Sequence, residues 1–443
     1  MTYQETLDYM FAQLPMYHRV GAAAYKADIQ PTIDMMAALG NPERKFRSIH
    51  VAGTNGKGSV SHMLASILQE AGYKVGLYTS PHLVDVRERI RINGEMIPQN
   101  VVVDFISERK DIFAKYHLSF FEMTVGLAFD YFASEQVDVA VVEVGMGGRL
   151  DSTNVIKPEL SIITNIGLDH TQFLGDTLEK IAGEKAGIIK DGVPVVIGQY
   201  QEETMPVFNA KADSCHAPLS VASHHWRVSP TWKFDTSTMH FSLEHDGEYV
   251  DDFVCGLSAS YQMWNIATVC EAVHQLRSRE IFTIDDKAFH RGLEHVVDNT
   301  HLHGRWQIIG NSPLTICETA HNYDGINAMM LGLVGIHFKR LHLIYGCVND
   351  KDYHKIITYL HTQLNAANLG EEPIWYFSQP SVPRGLPVDE LADTASSIGI
   401  NGDRYKDVNE AIAAARSAAE PDDLVLVTGS IFLVADALTN LKP

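Results

Sequence analysis

From Arg47 onward, short apolar runs rich in β-branched residues alternate with longer stretches whose apolar positions recur at helical spacing. RSIHVAG (Arg47–Gly53) predicts a strand, Lys57–Gly72 a helix and Lys74–Tyr78 a second strand. Helical stretches cover much of Pro98–Glu135, and further apolar runs fall at Asp138–Glu143, Leu160–Thr164 and Val193–Ile197. Strands that are apolar throughout and separated by helices predict a doubly wound, mostly parallel sheet. The stretch Ser220–Cys255 breaks this rhythm by mixing Thr, Trp, Phe, His and charged residues, and predicts a small antiparallel insertion. A helix is expected over Tyr261–Arg277, and DNTHLHGR (Asp298–Arg305) reads as a hinge. Strand candidates then resume at Leu314–Cys317, Leu341–Tyr345, Ile374–Phe377 and Leu424–Val427. The expected α/β organisation is an N-terminal doubly wound domain over 1–299 and a smaller, Rossmann-like C-terminal domain over 300–443.

Composition narrows the class. A chain of 443 residues is too long for one core, and 45% hydrophobic with 20% charged residues describes an ordinary globular protein. The formal charge of −20 argues against a nucleic-acid or anionic-membrane partner, which would need a basic face. Polyanionic substrates must then be held by local positive groups and metal ions. Five scattered cysteines with no CxxC pair exclude a disulfide framework and a thiolate zinc site, and fit a reducing, cytoplasmic setting. The opening MTYQETLDYMFAQLP lacks the basic flank and apolar centre of a signal peptide, and no apolar run reaches the roughly 20 residues of a membrane span.

The candidate chemistry begins at Gly53-Thr54-Asn55-Gly56-Lys57-Gly58-Ser59, between the first strand and its helix. Backbone N–H groups and the helix dipole bind anions at such a junction, glycines let the backbone curl round phosphate, and Lys57 can reach the β/γ oxygens of ATP. This makes the N-terminal domain a P-loop domain. The strict Walker A pattern fails twice, since its first Gly would fall on Val51 and its Ser/Thr on Gly58. Phosphoryl chemistry also needs Mg2+, which takes a few hard oxygen ligands beside phosphate and water. Glu143, Ser80 and His170 lie where predicted strands end, the ligand edge of such a sheet. Lys185 sits in the amphipathic stretch LEKIAGEKAGIIK, where a lysine ordinarily faces solvent.

Along nearly its whole length the sequence resembles folylpolyglutamate synthase/dihydrofolate synthase, a branch of the Mur ligase superfamily. The resemblance rests on His50–Leu83, ERIRING (Glu88–Gly94), EVGMGGRLDSTN (Glu143–Asn154) and Ile163–Lys190, in order and spacing. Shorter blocks continue it: YQMWN (Tyr261–Asn265), GRWQ (Gly304–Gln307), AHN (Ala320–Asn322), NDKD (Asn349–Asp352) and TGS (Thr428–Ser430). It implies an ATP-dependent ligase joining L-glutamate to dihydropteroate or a folate through an acyl phosphate. It further implies two Mg2+ sites, one held by Ser80 and Glu143, the other by Glu143, His170 and Lys185, with Lys185 carried as a carbamate. Gln262, Asn265, Arg305 and Glu318 would face the nucleotide with the phosphate loop, and His321 would add to both nucleotide binding and catalysis. Phe121, Arg149 and Asp151 are the pterin-side candidates, and a monomer is the expected state. The sequence departs from the family pattern at four places. His303 stands for Pro, Glu318 for Asp, Tyr323 for Pro and Ala259 for Gly. Two rival readings keep the fold, namely a ligase for cell-wall precursors and a nucleotide-binding protein without catalysis. Gly58 weighs against the first, and the joint presence of Lys57, Ser80, Glu143, His170 and Lys185 against the second.

Overall fold

The structure, a computed structural model, describes residues 1–12, 28–231, 238–349 and 352–439. Residues 13–15 of the opening stretch, part of the predicted insertion (232–237), and Asp350 and Lys351 of NDKD lie outside the described residues.

The chain divides into two compact units. The second is built on Leu257–Tyr261 and the chain from His303 onward, and the first holds the bulk of what precedes.

The first unit carries an eight-stranded sheet made of β1 (Arg47–Ala52), β2 (Val75–Tyr78), β3 (Ile90–Ile92), β4 (Glu95–Met96), β5 (Val139–Glu143), β6 (Leu160–Ile163), β7 (Val195–Ile197) and β8 (Leu219–Val221). Its order is β4-β3-β2-β5-β1-β6-β7-β8. The run from β2 to β8 is parallel. β2, β5 and β6 are buried at every residue, as a sheet covered on both faces requires. β3 and β4 form an antiparallel hairpin at the edge. Its turn is Asn93-Gly94, with φ of 47° and 82°, the pairing that a right-twisted two-residue turn favours.

Register fixes what shares an edge. Val51 pairs with Glu143, Ala52 with Ile163, and Tyr78 with Val142. The residues that follow β1, β2, β5 and β6 therefore emerge side by side at one end of the sheet. β1 is also where strand order reverses, the crevice in which open α/β sheets bind ligands.

The small antiparallel sheet comprises β9 (Trp226–Thr231), β10 (Met239–His245) and β11 (Glu248–Cys255). It starts at Trp226 rather than Ser220, because Leu219–Val221 pairs with β7 as the edge of the large sheet. The helix expected from Tyr261 runs Gln262–Ser278.

The second unit carries β12 (Gln307–Asn311), β13 (Leu314–Cys317), β14 (Arg340–Tyr345), β15 (Glu371–Ser378), β16 (Gly402–Tyr405) and β17 (Leu424–Thr428), in the order β12-β13-β17-β14-β15-β16. All pairs are parallel except β12 with β13. The apolar strands were legible, while β12 and β16 were not. They are the two edges, and β16 (GDRY) has no buried residue to write a pattern.

Candidate active site

The phosphate loop of the first unit is shaped by β6 as much as by its own glycines. The backbone N–H of Thr54 donates to the Asn165 carbonyl at 2.9 Å. That of Asn55 donates to Asn165 Oδ1 at 2.9 Å. Thr164 Oγ1 donates to the Asn55 carbonyl at 2.5 Å. Thr54 Oγ1 accepts the Gly167 N–H at 2.9 Å. Thr164 and Asn165 thus build the site without having been singled out from the sequence. The signal was present in TNIGLDH, as polar residues directly after an apolar strand. The loop glycines are required by space. At Gly53 (φ +151°) a Cβ would lie 1.8 Å from Thr164 Oγ1, and at Gly56 (φ +82°) 2.2 Å from Asn265 Oδ1.

Helix Lys57–Glu70 starts at the loop, and its first residues form the anion-binding end. Ser59 Oγ accepts from Gln262 Nε2 at 3.3 Å, and Gln262 Oε1 accepts from Asn265 Nδ2 at 2.7 Å. Two of the predicted nucleotide residues therefore join the loop within this unit.

Two lysine amines converge on one carbonyl. Gly53 O accepts from Lys57 Nζ at 3.0 Å and from Lys185 Nζ at 2.9 Å, and Lys57 also donates to Thr54 O at 3.1 Å. Lys185 lies in the last turn of helix Leu178–Ala186 and is buried, at 4% exposure, rather than solvated. Burial, with the Lys57 charge beside it, pushes its amine down to about 7. Asp169 and Asp151 act in the opposite sense. Most amines stay firmly cationic at neutral pH, and burial draws this one toward its neutral form.

Glu143 closes β5 as a buried carboxylate and accepts the Ser80 N–H at 3.0 Å. Both its oxygens lie near the helix start, 3.8 and 3.9 Å from where a Cβ on Gly58 would be. His170 is half-buried in left-handed backbone (φ 50°) before the short helix Thr171–Leu174, next to Asp169. Among the described residues, no three His, Cys, Asp or Glu side chains gather as a metal cage. Glu143 offers two hard oxygens beside the phosphate loop, one of them held by the Ser80 backbone N–H. Lys185 would fit as a ligand only in an anionic form, because its amine now donates to Gly53 O.

The three pterin-side candidates part company. Phe121 and Asp151 converge on Gly145, where a Cβ would meet Phe121 Cζ at 2.4 Å and Asp151 Oδ2 at 3.1 Å. Phe121 also lies edge-on to Tyr78, at 6.2 Å between centroids. Asp151 is buried and accepts from Met146 N (2.9 Å), Thr153 N (2.9 Å) and Thr153 Oγ1 (2.5 Å), so it organises the turn after Gly145. Arg149 is exposed and bridged to Glu184 at 2.8 Å.

In the second unit, Glu318, Arg305 and His321 surround the end of β13. Glu318 is buried, and burial pushes its carboxyl up. Arg305 hydrogen-bonds Thr319 Oγ1. His321 Nδ1 faces the Thr319 carbonyl at 2.8 Å; since a carbonyl only accepts, that nitrogen carries the proton.

Known proteins agree with this architecture. Residues 51–273 match the Mur ligase middle domain, and 304–431 the Mur ligase glutamate ligase domain. A Bacillus subtilis dihydrofolate synthase/folylpolyglutamate synthase is 34% identical over 92% of this chain and 93% of its own length. The chain spans 50% of a Haloferax volcanii relative, the probable bifunctional folylpolyglutamate synthase/dihydropteroate synthase, at 33% identity over 99% of this chain. The solved structure of Escherichia coli FolC in complex with DHPP and ADP superposes with a TM-score of 0.84. It is 28% identical and covers 99% of this chain and 97% of that one. No helix among the described residues is long and apolar enough to cross a membrane. The chain belongs to the Mur ligase family, in the branch of ATP-dependent ligases formed by the folylpolyglutamate and dihydrofolate synthases.

Proposed function

We propose that this chain joins L-glutamate to the carboxylate of dihydropteroate or of a folate at the cost of ATP. The observation that carries the reading is the convergence of Lys57 and Lys185 on the Gly53 carbonyl of a phosphate loop flanked by the buried Glu143. The substrate classes follow those named for the relatives, DHPP and ADP among them. The substrate carboxylate attacks the γ-phosphorus of ATP in line, and the bond to the β,γ-bridging oxygen breaks to release ADP. Loop N–H groups and Lys57 hold the transferred group and offset its charge. The glutamate amine then attacks the acyl carbon, phosphate leaves, and the amine proton passes to a base, for which His321 is our candidate.

Mg2+, when bound, would neutralise phosphate charge, and Ser80, Glu143, His170 and Lys185 are the residues we propose to hold it. Lys185 meets the condition for carbamate formation. A neutral amine attacks CO2, a C–N bond forms and a proton is lost, which leaves an anionic oxygen ligand where a cation stood. Gln262, Asn265 and Arg305 are proposed to orient the nucleotide, with Phe121 and Asp151 shaping the pterin side. Five free thiols fit a cytoplasmic enzyme, and we take it to act as a monomer.

The decisive assay supplies ATP, Mg2+ and L-glutamate with dihydropteroate or with a reduced folate, and resolves products by mass. ADP release that requires both organic substrates, with a product heavier by one glutamyl group, is expected. ADP release independent of either would refute the reading.

A further inference from the structure

Two of the stretches that belong to the second unit, Leu257–Tyr261 and the segment from His303, are held together by one side chain. Glu318 Oε2 accepts the Tyr261 hydroxyl at 2.6 Å and the Trp306 backbone N–H at 2.9 Å. The carboxylate is buried at 5% exposure, and the Arg305 guanidinium supplies its favourable charge. Around it the Tyr261 and Trp306 rings meet edge to face, 6.4 Å between centroids, as part of the second unit's apolar core. Removing this acceptor would strand two buried donors, which is costly in a site closed to water.

We propose that Glu318 is a positioning residue that clips both stretches to the end of β13, and that it does not contact the nucleotide. The inference rests on the reading of this chain as an ATP-binding ligase, and it replaces the nucleotide-facing role expected for Glu318. Each donor to Glu318 is the chain neighbour of a proposed nucleotide residue. Tyr261 precedes Gln262, which within the first unit reaches Ser59 and Asn265. Trp306 follows Arg305. Within the second unit, fixing Trp306 therefore fixes where Arg305 starts. The methylene that distinguishes Glu318 from the aspartate usual in the family gives it added reach, and that oxygen is committed to Tyr261. A ribose hydroxyl would have to compete for it with two short hydrogen bonds.

Test this in the full chain with Glu318→Ala, Tyr261→Phe and the double variant. Binding of Mg-ATP and Mg-2′-deoxy-ATP and Mg-3′-deoxy-ATP is measured by calorimetry, and backbone hydrogen exchange by mass spectrometry. A clip predicts that each single variant weakens all three nucleotides by the same factor, about tenfold. The double variant should be no worse than Glu318→Ala alone, because the two residues act as one unit. Peptides covering 303–310 should exchange faster in Glu318→Ala. A Glu318→Ala chain in which the preference for ATP over either deoxy analogue collapses would make the residue a ribose contact and overturn the clip. Unchanged exchange at 303–310 would overturn it as well. Should Glu318→Ala fail to fold, Tyr261→Phe carries the same nucleotide comparison. A parent chain that binds no ATP would defeat the ligase reading instead, and the exchange comparison would still decide the clip.

Discussion

Replacing Lys185 with Met, a side chain of similar length without charge, should make the protein more stable in mild acid while removing its turnover. The amine is held at about 7 against an ordinary 10.5. At about 1.4 kcal/mol for each pH unit between those values, keeping it charged in the folded chain costs about 5 kcal/mol. Methionine removes that cost and forfeits the hydrogen bond to Gly53 O, worth about 1 kcal/mol. The expected gain at pH 6 is therefore up to about 4 kcal/mol. The sign with pH follows from proton counts. Between 7 and 10.5 the unfolded chain binds more protons at this lysine than the folded chain, so the parent gains stability as pH rises through that window. The variant lacks this slope, and its advantage should shrink by about 3 kcal/mol between pH 6 and pH 9. Urea unfolding of both chains at pH 6, 7.5 and 9, in bicarbonate-free buffer, measures this directly. Adding bicarbonate should stabilise the parent alone, and 13C-bicarbonate should give it a carbamate carbon signal that the variant lacks. A stability difference that does not move with pH, or a variant that keeps full turnover, would refute the reasoning.

Gly56→Ala places a Cβ 2.2 Å from Asn265 Oδ1 at a φ of +82°, so it should displace Asn265 and strain the loop. ATP affinity measured by calorimetry should fall at least about tenfold, with the left-handed conformation alone costing about 1 kcal/mol. Glu143→Gln keeps an acceptor for the Ser80 N–H but loses the charge, so the Mg2+ concentration for half-maximal ADP formation should rise at least about tenfold. An unchanged Mg2+ titration would remove Glu143 from the metal set.

Much of the fold was legible because parallel strands buried on both faces write themselves as continuous apolar runs, and Val139–Glu143 and Leu160–Ile163 are such strands. The missed pieces lie at edges. Ile90–Ile92 with Glu95–Met96 was announced only by its Asn-Gly turn, and Gly402–Tyr405 by nothing apolar. The crossing segment Leu257–Tyr261 carries no compositional signal either, since its place in the second unit depends on contacts made after His303. In the site, residue types in a loop were readable and burial was not. Lys185 sits on an amphipathic helix, and only the structure shows its amine turned onto Gly53 O beside Lys57. Asp151 was readable as a carboxylate near a Gly-rich turn, but its bonds to Met146 N and Thr153 depend on a chain reversal that no periodicity encodes.

The departure of the phosphate loop from strict Walker A has a physical reason in Glu143. The stricter pattern would put a hydroxyl at position 58, where a Cβ would sit 3.8 and 3.9 Å from the two Glu143 oxygens. From there a serine Oγ could turn to hydrogen-bond the carboxylate and compete with a metal ion for it. Here position 58 is Gly, and the hydroxyl proposed to serve the metal comes instead from Ser80, whose N–H already holds Glu143 at 3.0 Å. Gly58→Ser separates these effects. Position 58 is helical without positive φ, and serine is a better helix former than glycine by roughly 0.5 kcal/mol, so the fold should be no less stable. The Mg2+ needed for half-maximal ADP formation should nonetheless rise several-fold, and the ATP dependence at saturating Mg2+ should change less. Thermal unfolding and a Mg2+ titration measured together decide it. A stable Gly58→Ser chain with the parent's Mg2+ dependence would show that the Glu143 oxygens are not contested at this position, and that the glycine answers to backbone approach alone.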